Sequence, residues 1–146
     1  MPVHGAITQL YARDAKAALD FYARAFGARE KFRLVEGTGR IGHAQIELGG
    51  TTLMIADEMP DHGALAPRDG TPTGVCVHLQ VDDCDGFVKR ASDAGATVLV
   101  APSDRFFGQR SARVRDPFGH EWALSQTIEE VSAAEIQRRF ADRFGR

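Results

Sequence analysis

Apolar and polar residues change their period along this chain, and each change marks an element. Residues 6–12, AITQLYA, alternate, the two-residue repeat of a half-buried strand. From Asp14 the period lengthens to 3.6: Ala18, Leu19, Tyr22, Ala25 and Phe26 form one stripe, with Asp14 placed to cap the helix and Gly27 to end it. Alternation returns in residues 29–36 and 41–48, on either side of Gly37-Thr38-Gly39, and Gly49-Gly50 turns the chain into a further strand at 51–58. Residues 59–74 are rich in proline and glycine and keep no period, so they read as a linker or long loop.

The order then repeats. VCVHLQV at 75–81 is a strand, and Asp83 or Asp82 caps a helix carrying Phe87, Ala91 and Ala94, which Gly95 stops. Strands are predicted at 97–101, 109–115 and 120–126, the last two joined by the tight turn Asp116-Pro117-Phe118-Gly119. Leu10 and Leu79, Gly50 and Gly119, and Ile55 and Leu124 each stand 69 positions apart. Two copies of one βαβββ unit explain that spacing better than any single strand does. The expected fold is α+β, one domain built from module 1 (5–58), the linker (59–74) and module 2 (75–126). A C-terminal helix follows at 132–144, where Ser132 and Glu135 form a capping box and Ile136, Phe140 and Phe144 a narrow apolar stripe. That stripe suits packing on the domain or on a sister subunit.

Charge narrows the partners. Eighteen Lys plus Arg against twenty Asp plus Glu leave a net charge of −2, which offers no electrostatic case for nucleic acid. No apolar run approaches the roughly 20 residues of a membrane span, and residues 1–5 carry no signal-peptide pattern. Cys76 and Cys84 form neither a CxxC nor a disulfide framework, so a reducing, cytoplasmic setting is expected.

The paired βαβββ units, the D-x4-LDFY-x3-FG helix from Asp14 to Gly27 and the DPFG turn resemble the vicinal oxygen chelate superfamily over residues 5–126. That superfamily includes glyoxalases, bleomycin-resistance proteins and extradiol dioxygenases. The stretches FFGQR (106–110), DPFGHEW (116–122) and VSAAEIQRRF (131–140) are similar to its PhnB-like branch. The resemblance implies curved mixed sheets around a central cavity, with metal ligands, where present, on the first and last strands of each module. Those positions correspond here to Ile7, Met54, Cys76 and Ala123. Isoleucine, methionine and alanine offer no hard donor and one cysteine cannot hold a divalent ion, so no metal and no cofactor is expected. Ile46-Glu47-Leu48 imitates the glutamate-bearing strand of true glyoxalases but falls one strand early.

Alternation then assigns the cavity lining. Val75, Val77, Leu79 and Val81 should lie under a helix, which turns Cys76, His78 and Gln80 inward. Gln9 and Tyr11 in the first strand, His43, Gln45 and Glu47 in the third, and Ala123 and Ser125 in the last are assigned inward likewise. Trp122 goes to the core. Phe106 and Phe107, flanked by Arg105 and Arg110, suit a mouth over a planar or anionic ligand. The candidate ligand-binding set is Gln9, Tyr11, His43, Glu47, Cys76, His78, Gln80, Phe106, Phe107, Arg110 and Ser125; no catalytic residue is assigned. Blander readings stand beside it: a strand histidine is commonly solvent-facing, Cys76 serves equally as a small hydrophobe, and one Phe can simply plug the core. The expectation is a protein that binds a small organic molecule between its sheets, a homodimer with no nucleic-acid or membrane partner. The alternative is a lyase, isomerase or dioxygenase of the same fold using a shifted metal site or acid–base chemistry at His78 and Glu47.

Overall fold

The computed structural model describes residues 1–145. Module 1 runs β1 (Thr8–Ala12), α1 (Ala15–Phe26), β2 (Arg29–Val35), β3 (Ile41–Leu48) and β4 (Thr51–Asp57). Module 2 repeats it as β5 (Cys76–Gln80), α2 (Cys84–Asp93), β6 (Thr97–Asp104), β7 (Gln109–Arg115) and β8 (Glu121–Thr127), and α3 (Ala133–Phe144) follows. Each module makes one four-stranded mixed sheet, in the orders β1-β4-β3-β2 and β5-β8-β7-β6. The first and last strands pair in parallel and the rest antiparallel. The α+β tandem architecture with a C-terminal helix is therefore present.

The repeat reaches the level of single hydrogen bonds. Asp14 caps α1 by accepting from Ala17 N, and Asp83 caps α2 by accepting from Gly86 N, each at 3.0 Å. Behind each cap, a side chain from the end of the last strand holds the first helical N–H. Asp57 Oδ1 accepts from Ala15 N at 2.8 Å, and Gln126 Oε1 accepts from Cys84 N at 2.9 Å. Asp57 also takes Ile41 N on Oδ2 at 2.7 Å, tying helix, third strand and fourth strand to one buried carboxylate.

The modules join through their helices and through the DPFG turn. Phe26 of α1 stacks on Phe87 of α2 with centroids 5.3 Å apart, and Trp122, fully buried, meets Phe26 edge-on at 4.7 Å. The Asp116 carboxylate is the polar centre of this joint. It accepts from Tyr22 Oη at 2.6 Å, Trp122 Nε1 at 2.8 Å, and the amides of Phe118 and His120 at 2.8 and 3.0 Å. Burial, reinforced by the Asp116 charge, pushes the Tyr22 phenol well above its ordinary pKa. His120 Nε2 donates to the carbonyl of Tyr11 at 2.7 Å, so this turn residue, given no role by its sequence context, bridges the modules.

The linker is tied down. Met59 and Ala64 form an isolated bridge around a 3-10 turn at Pro60–His62, Glu58 accepts from Ala66 N, and Thr73 N donates to Glu121 at 2.9 Å. Pro67 lies against Gly119, where an added Cβ would meet it at 2.7 Å. With φ at +97°, Gly119 is needed twice, for its left-handed backbone and for that space. Val75 departs from expectation: it precedes β5 and is exposed, because β5 starts at Cys76 and the linker end carries Val75 past the helix.

Candidate functional site

Inward- and outward-facing positions separate as strand alternation requires. In β3, Ala44 and Ile46 are buried in the helix-side core, which leaves His43, Gln45 and Glu47 on the other face. In β7, Ala112 and Val114 are buried, which leaves Ser111 and Arg113 on the corresponding face of module 2. Ala44 stands opposite Ile55 and Ala112 opposite Leu124, so the two faces are in matching register. A roof covers one of them and not the other.

On module 2 the face becomes a cavity of about 520 Å³, within the range of small-molecule sites. Its floor is Cys76 and His78 from β5, Ala123 and Ser125 from β8, and Ser111 and Arg113 from β7. Its roof is the β6–β7 turn, Arg105-Phe106-Phe107, together with Arg143 and Phe144 at the end of α3. His78 Nε2 and Ser125 Oγ are 2.7 Å apart, and Arg105 Nε donates to Ser111 Oγ at 3.0 Å. Phe106 and Phe107 meet edge to face at 5.1 Å.

Local chemistry makes the roof. Gly108 closes the turn at φ +84°, and its carbonyl accepts from Ile128 N and Glu129 N, which lays the segment after β8 against the loop. A Cβ at Gly108 would meet Glu129 O at 2.4 Å. Arg139 of α3 donates to the Phe106 carbonyl and pairs with Glu129, both at 2.8 Å. Phe106 packs against Phe140 and Phe144, each 6.1 Å away, and the Arg143 guanidinium lies 5.8 Å from the Phe106 ring centre. Hydrogen bonds from Arg138 and Arg139 hold the Glu135 carboxyl down to about 2, a surface pairing within α3 that adds little stability.

Five of the eleven candidate residues come together in this cavity: Cys76, His78, Phe106, Phe107 and Ser125. The other six are placed elsewhere. Arg110 is clamped between Asp85, at 2.6 Å, and Asp104, at 2.8 Å, and the two carboxylates raise its pKa further. Gln80 bonds to Thr127 at the next hollow, about 450 Å³ between the modules, which His78 also borders. Gln9 and Tyr11 line a smaller hollow of about 260 Å³ at the joint, beside His120 and Pro67. His43 lies 3.1 Å from Gln45, and Glu47 is paired with Arg29 at 2.7 Å. Glu47 is therefore not among the residues that line the cavity with His78. The cavity that gathers these five residues lies on the second sheet, and the hollow between the modules takes only His78 and Gln80 of the set.

Ser111, Arg113, Arg143 and Phe144 are polar or aromatic lining residues outside the candidate set. Ser111 and Arg113 follow from the alternation of β7, a signal present in the sequence. Arg143 and Phe144 follow only once α3 is known to fold back over the 105–107 turn. Of the two cysteines, Cys84 is fully buried and its thiol is pushed up by desolvation, as for an unreactive packing residue.

Two βαβββ units, each a mixed sheet with its first and last strands paired in parallel, define a known architecture, and the chain belongs to the Glyoxalase/Bleomycin resistance protein/Dioxygenase superfamily, whose family model matches residues 5–124. Among curated relatives, the uncharacterized protein Mb0911c of Mycobacterium bovis is 41% identical over 127 residues, covering 85% of this chain and 84% of that protein. The uncharacterized protein Rv0887c of Mycobacterium tuberculosis is equally identical and is covered to 75%. Among solved structures, TioX from Micromonospora sp. ML1 aligns with a TM-score of 0.63 and 27% identity over 85% of this chain and all of that one. The fosfomycin resistance protein FosX from Listeria monocytogenes, complexed with Mn(II) and sulfate, aligns at 0.68 and 16% identity over 96% of this chain and 99% of that one, a likeness of fold.

Proposed function

We propose that this chain binds a small organic molecule in the module 2 cavity and holds it without changing its bonds. The observation that carries the reading is the roofed cavity itself, an aromatic cover of Phe106, Phe107 and Phe144 over a polar floor of His78, Ser111 and Ser125. A floor of this kind is at ease when liganded or wet.

The donor chemistry supports a metal-free mode. Ile7, Met54, Cys76 and Ala123 stand where the superfamily's ligands would, and three of the four have no hard donor. Among the described residues no group of three or more His, Cys, Asp or Glu is placed to hold a metal ion. Placement in the PhnB-like branch draws support from the packing of its two characteristic stretches, FFGQR and VSAAEIQRRF, through Phe106, Arg139 and Phe140. We also propose a homodimer. The exposed Phe32, Leu34 and Val35 of the edge strand β2 give a second copy apolar side chains to cover. No helix among the described residues is long and apolar enough to cross a membrane, and both cysteines are free, which fits a cytoplasmic setting.

Elemental analysis and native mass spectrometry of protein purified without chelator test the reading. The expected result is less than stoichiometric divalent metal and a retained small molecule that Phe106→Ala releases. A stoichiometric metal removed by chelator, with turnover lost alongside it, overturns the reading.

A further inference from the structure

Resting on the cavity reading above, we infer that the ligand is an aromatic monoanion, a carboxylate whose charged end lies over Arg105 and Arg113 and whose ring lies under Phe106 and Phe144. Three arginines line the cavity: Arg105, Arg113 and Arg143. Asp104 is the one carboxylate among the described lining residues, and it is already engaged by Arg110. Arg105 spends its Nε on the neutral hydroxyl of Ser111, and Arg143 lies over the Phe106 and Phe144 rings. Neither has a carboxylate partner among the described residues. Arg113 reaches Glu121 through one nitrogen at 3.4 Å, and Glu121 also faces Arg115 and accepts from Thr73 N. The cavity thus carries positive charge that its own carboxylates leave unbalanced.

The geometry sorts the anions. Ser111 and Arg113 are two residues apart on one face of β7, about 7 Å along the strand. Arg105 is anchored to the first of them, so two arginine side chains and a hydroxyl line one side of the cavity. Planar guanidinium forks match a carboxylate two bonds at a time. The roof above this corner is aromatic, and the end of α3 that reaches it is the C-terminal end, whose carbonyls carry partial negative charge. Such a roof works against a doubly charged group. Phe106, Phe144 and Val100 give a planar ring apolar surface to lie against.

Three probes of one shape test this by calorimetry at low salt and pH 7.5: 2-naphthoate, neutral 2-naphthamide and 2-naphthyl phosphate. The expected result is naphthoate at least tenfold tighter than naphthamide and no weaker than the phosphate. Arg105→Gln or Arg113→Gln then shrinks the naphthoate preference below threefold, whereas Phe106→Leu weakens naphthoate and naphthamide by the same factor. Equal binding of acid and amide overturns the anion assignment and leaves the cavity reading standing. Phosphate bound tenfold tighter than naphthoate overturns the monoanion assignment. Absence of binding by all three at millimolar concentration overturns this inference together with the reading it rests on.

Discussion

The two modules share a frame and differ in what covers their open faces. In module 1 the face closes on itself through surface contacts: Arg29 with Glu47, Lys31 with Thr52, Gln45 with His43. In module 2 the matching strands carry Ser111, Arg113, His78 and Ser125, and a turn plus a helix lie over them. The strands are not what sets the modules apart, since Asp57 and Gln126 hold the two helices in the same way. What differs is α3 and the aromatic pair in the 105–107 turn; the equivalent turn of module 1, residues 36–39, has the same backbone hydrogen bonds and no aromatic residue. A duplicated scaffold thus provides two platforms, and a short added segment borders a cavity on one of them.

Breaking the joint that both modules share should have the largest effect. Asp116→Ala leaves the buried Tyr22 hydroxyl and Trp122 indole N–H without their acceptor and should lower stability by about 4 kcal/mol in urea melts, both modules unfolding together. Next come the equivalent helix anchors. Asp57→Ala orphans two amides, those of Ala15 and Ile41, and should cost about 2 kcal/mol, whereas Gln126→Ala orphans one and should cost about 1 kcal/mol. Equal costs would mean that the extra bond from Ile41 to Asp57 adds no stability.

Ending the chain after Val131 makes module 2 resemble module 1. Among the described residues none of α3 is buried, so the melting transition should move by about 1 kcal/mol or less, while 2-naphthoate binding falls at least tenfold. The smallest effect separates two glutamates. The Thr73 amide, then Arg115 and Arg113, hold the Glu121 carboxyl below its ordinary pKa. Its stabilising contribution is complete above the unfolded value near 4.5 and is lost as pH falls through the lower folded value. Glu121→Gln should flatten that acid limb in melts run from pH 6 to 3. Glu47→Ala, which removes one exposed pair with Arg29, should change stability by about 0.5 kcal/mol or less.

Much of the fold could be read from the sequence because it rests on short-range signals. The change from period 2 to period 3.6 at Asp14, the Gly27 stop and the 69-residue spacing all report local backbone geometry, and each element formed within a few residues of its expected bounds. Face assignment in β3, β5 and β8 followed from alternation alone. The site was harder to read, since membership in a cavity depends on what crosses above a strand. His43 and His78 carry similar sequence signals, and only His78 lines the cavity that the end of α3 borders. Arg110 and Arg105 flank the same aromatic pair, yet Arg110 turns to Asp85 on α2, a contact between residues 25 positions apart. The role of His120 depended on a carbonyl 109 positions away.

The roof has a consequence for how such a protein can change. α3 is the last element, it contributes no core residue among those described, and it meets the rest mainly through Arg139 and three phenyl rings. If the cavity holds the proposed ligand, substitutions in α3 change what it admits while leaving the buried core of both modules untouched. Ligand preference can then diversify through this one helix. An engineer can do likewise, exchanging the final helix as a cassette and screening for new ligands on an unchanged scaffold.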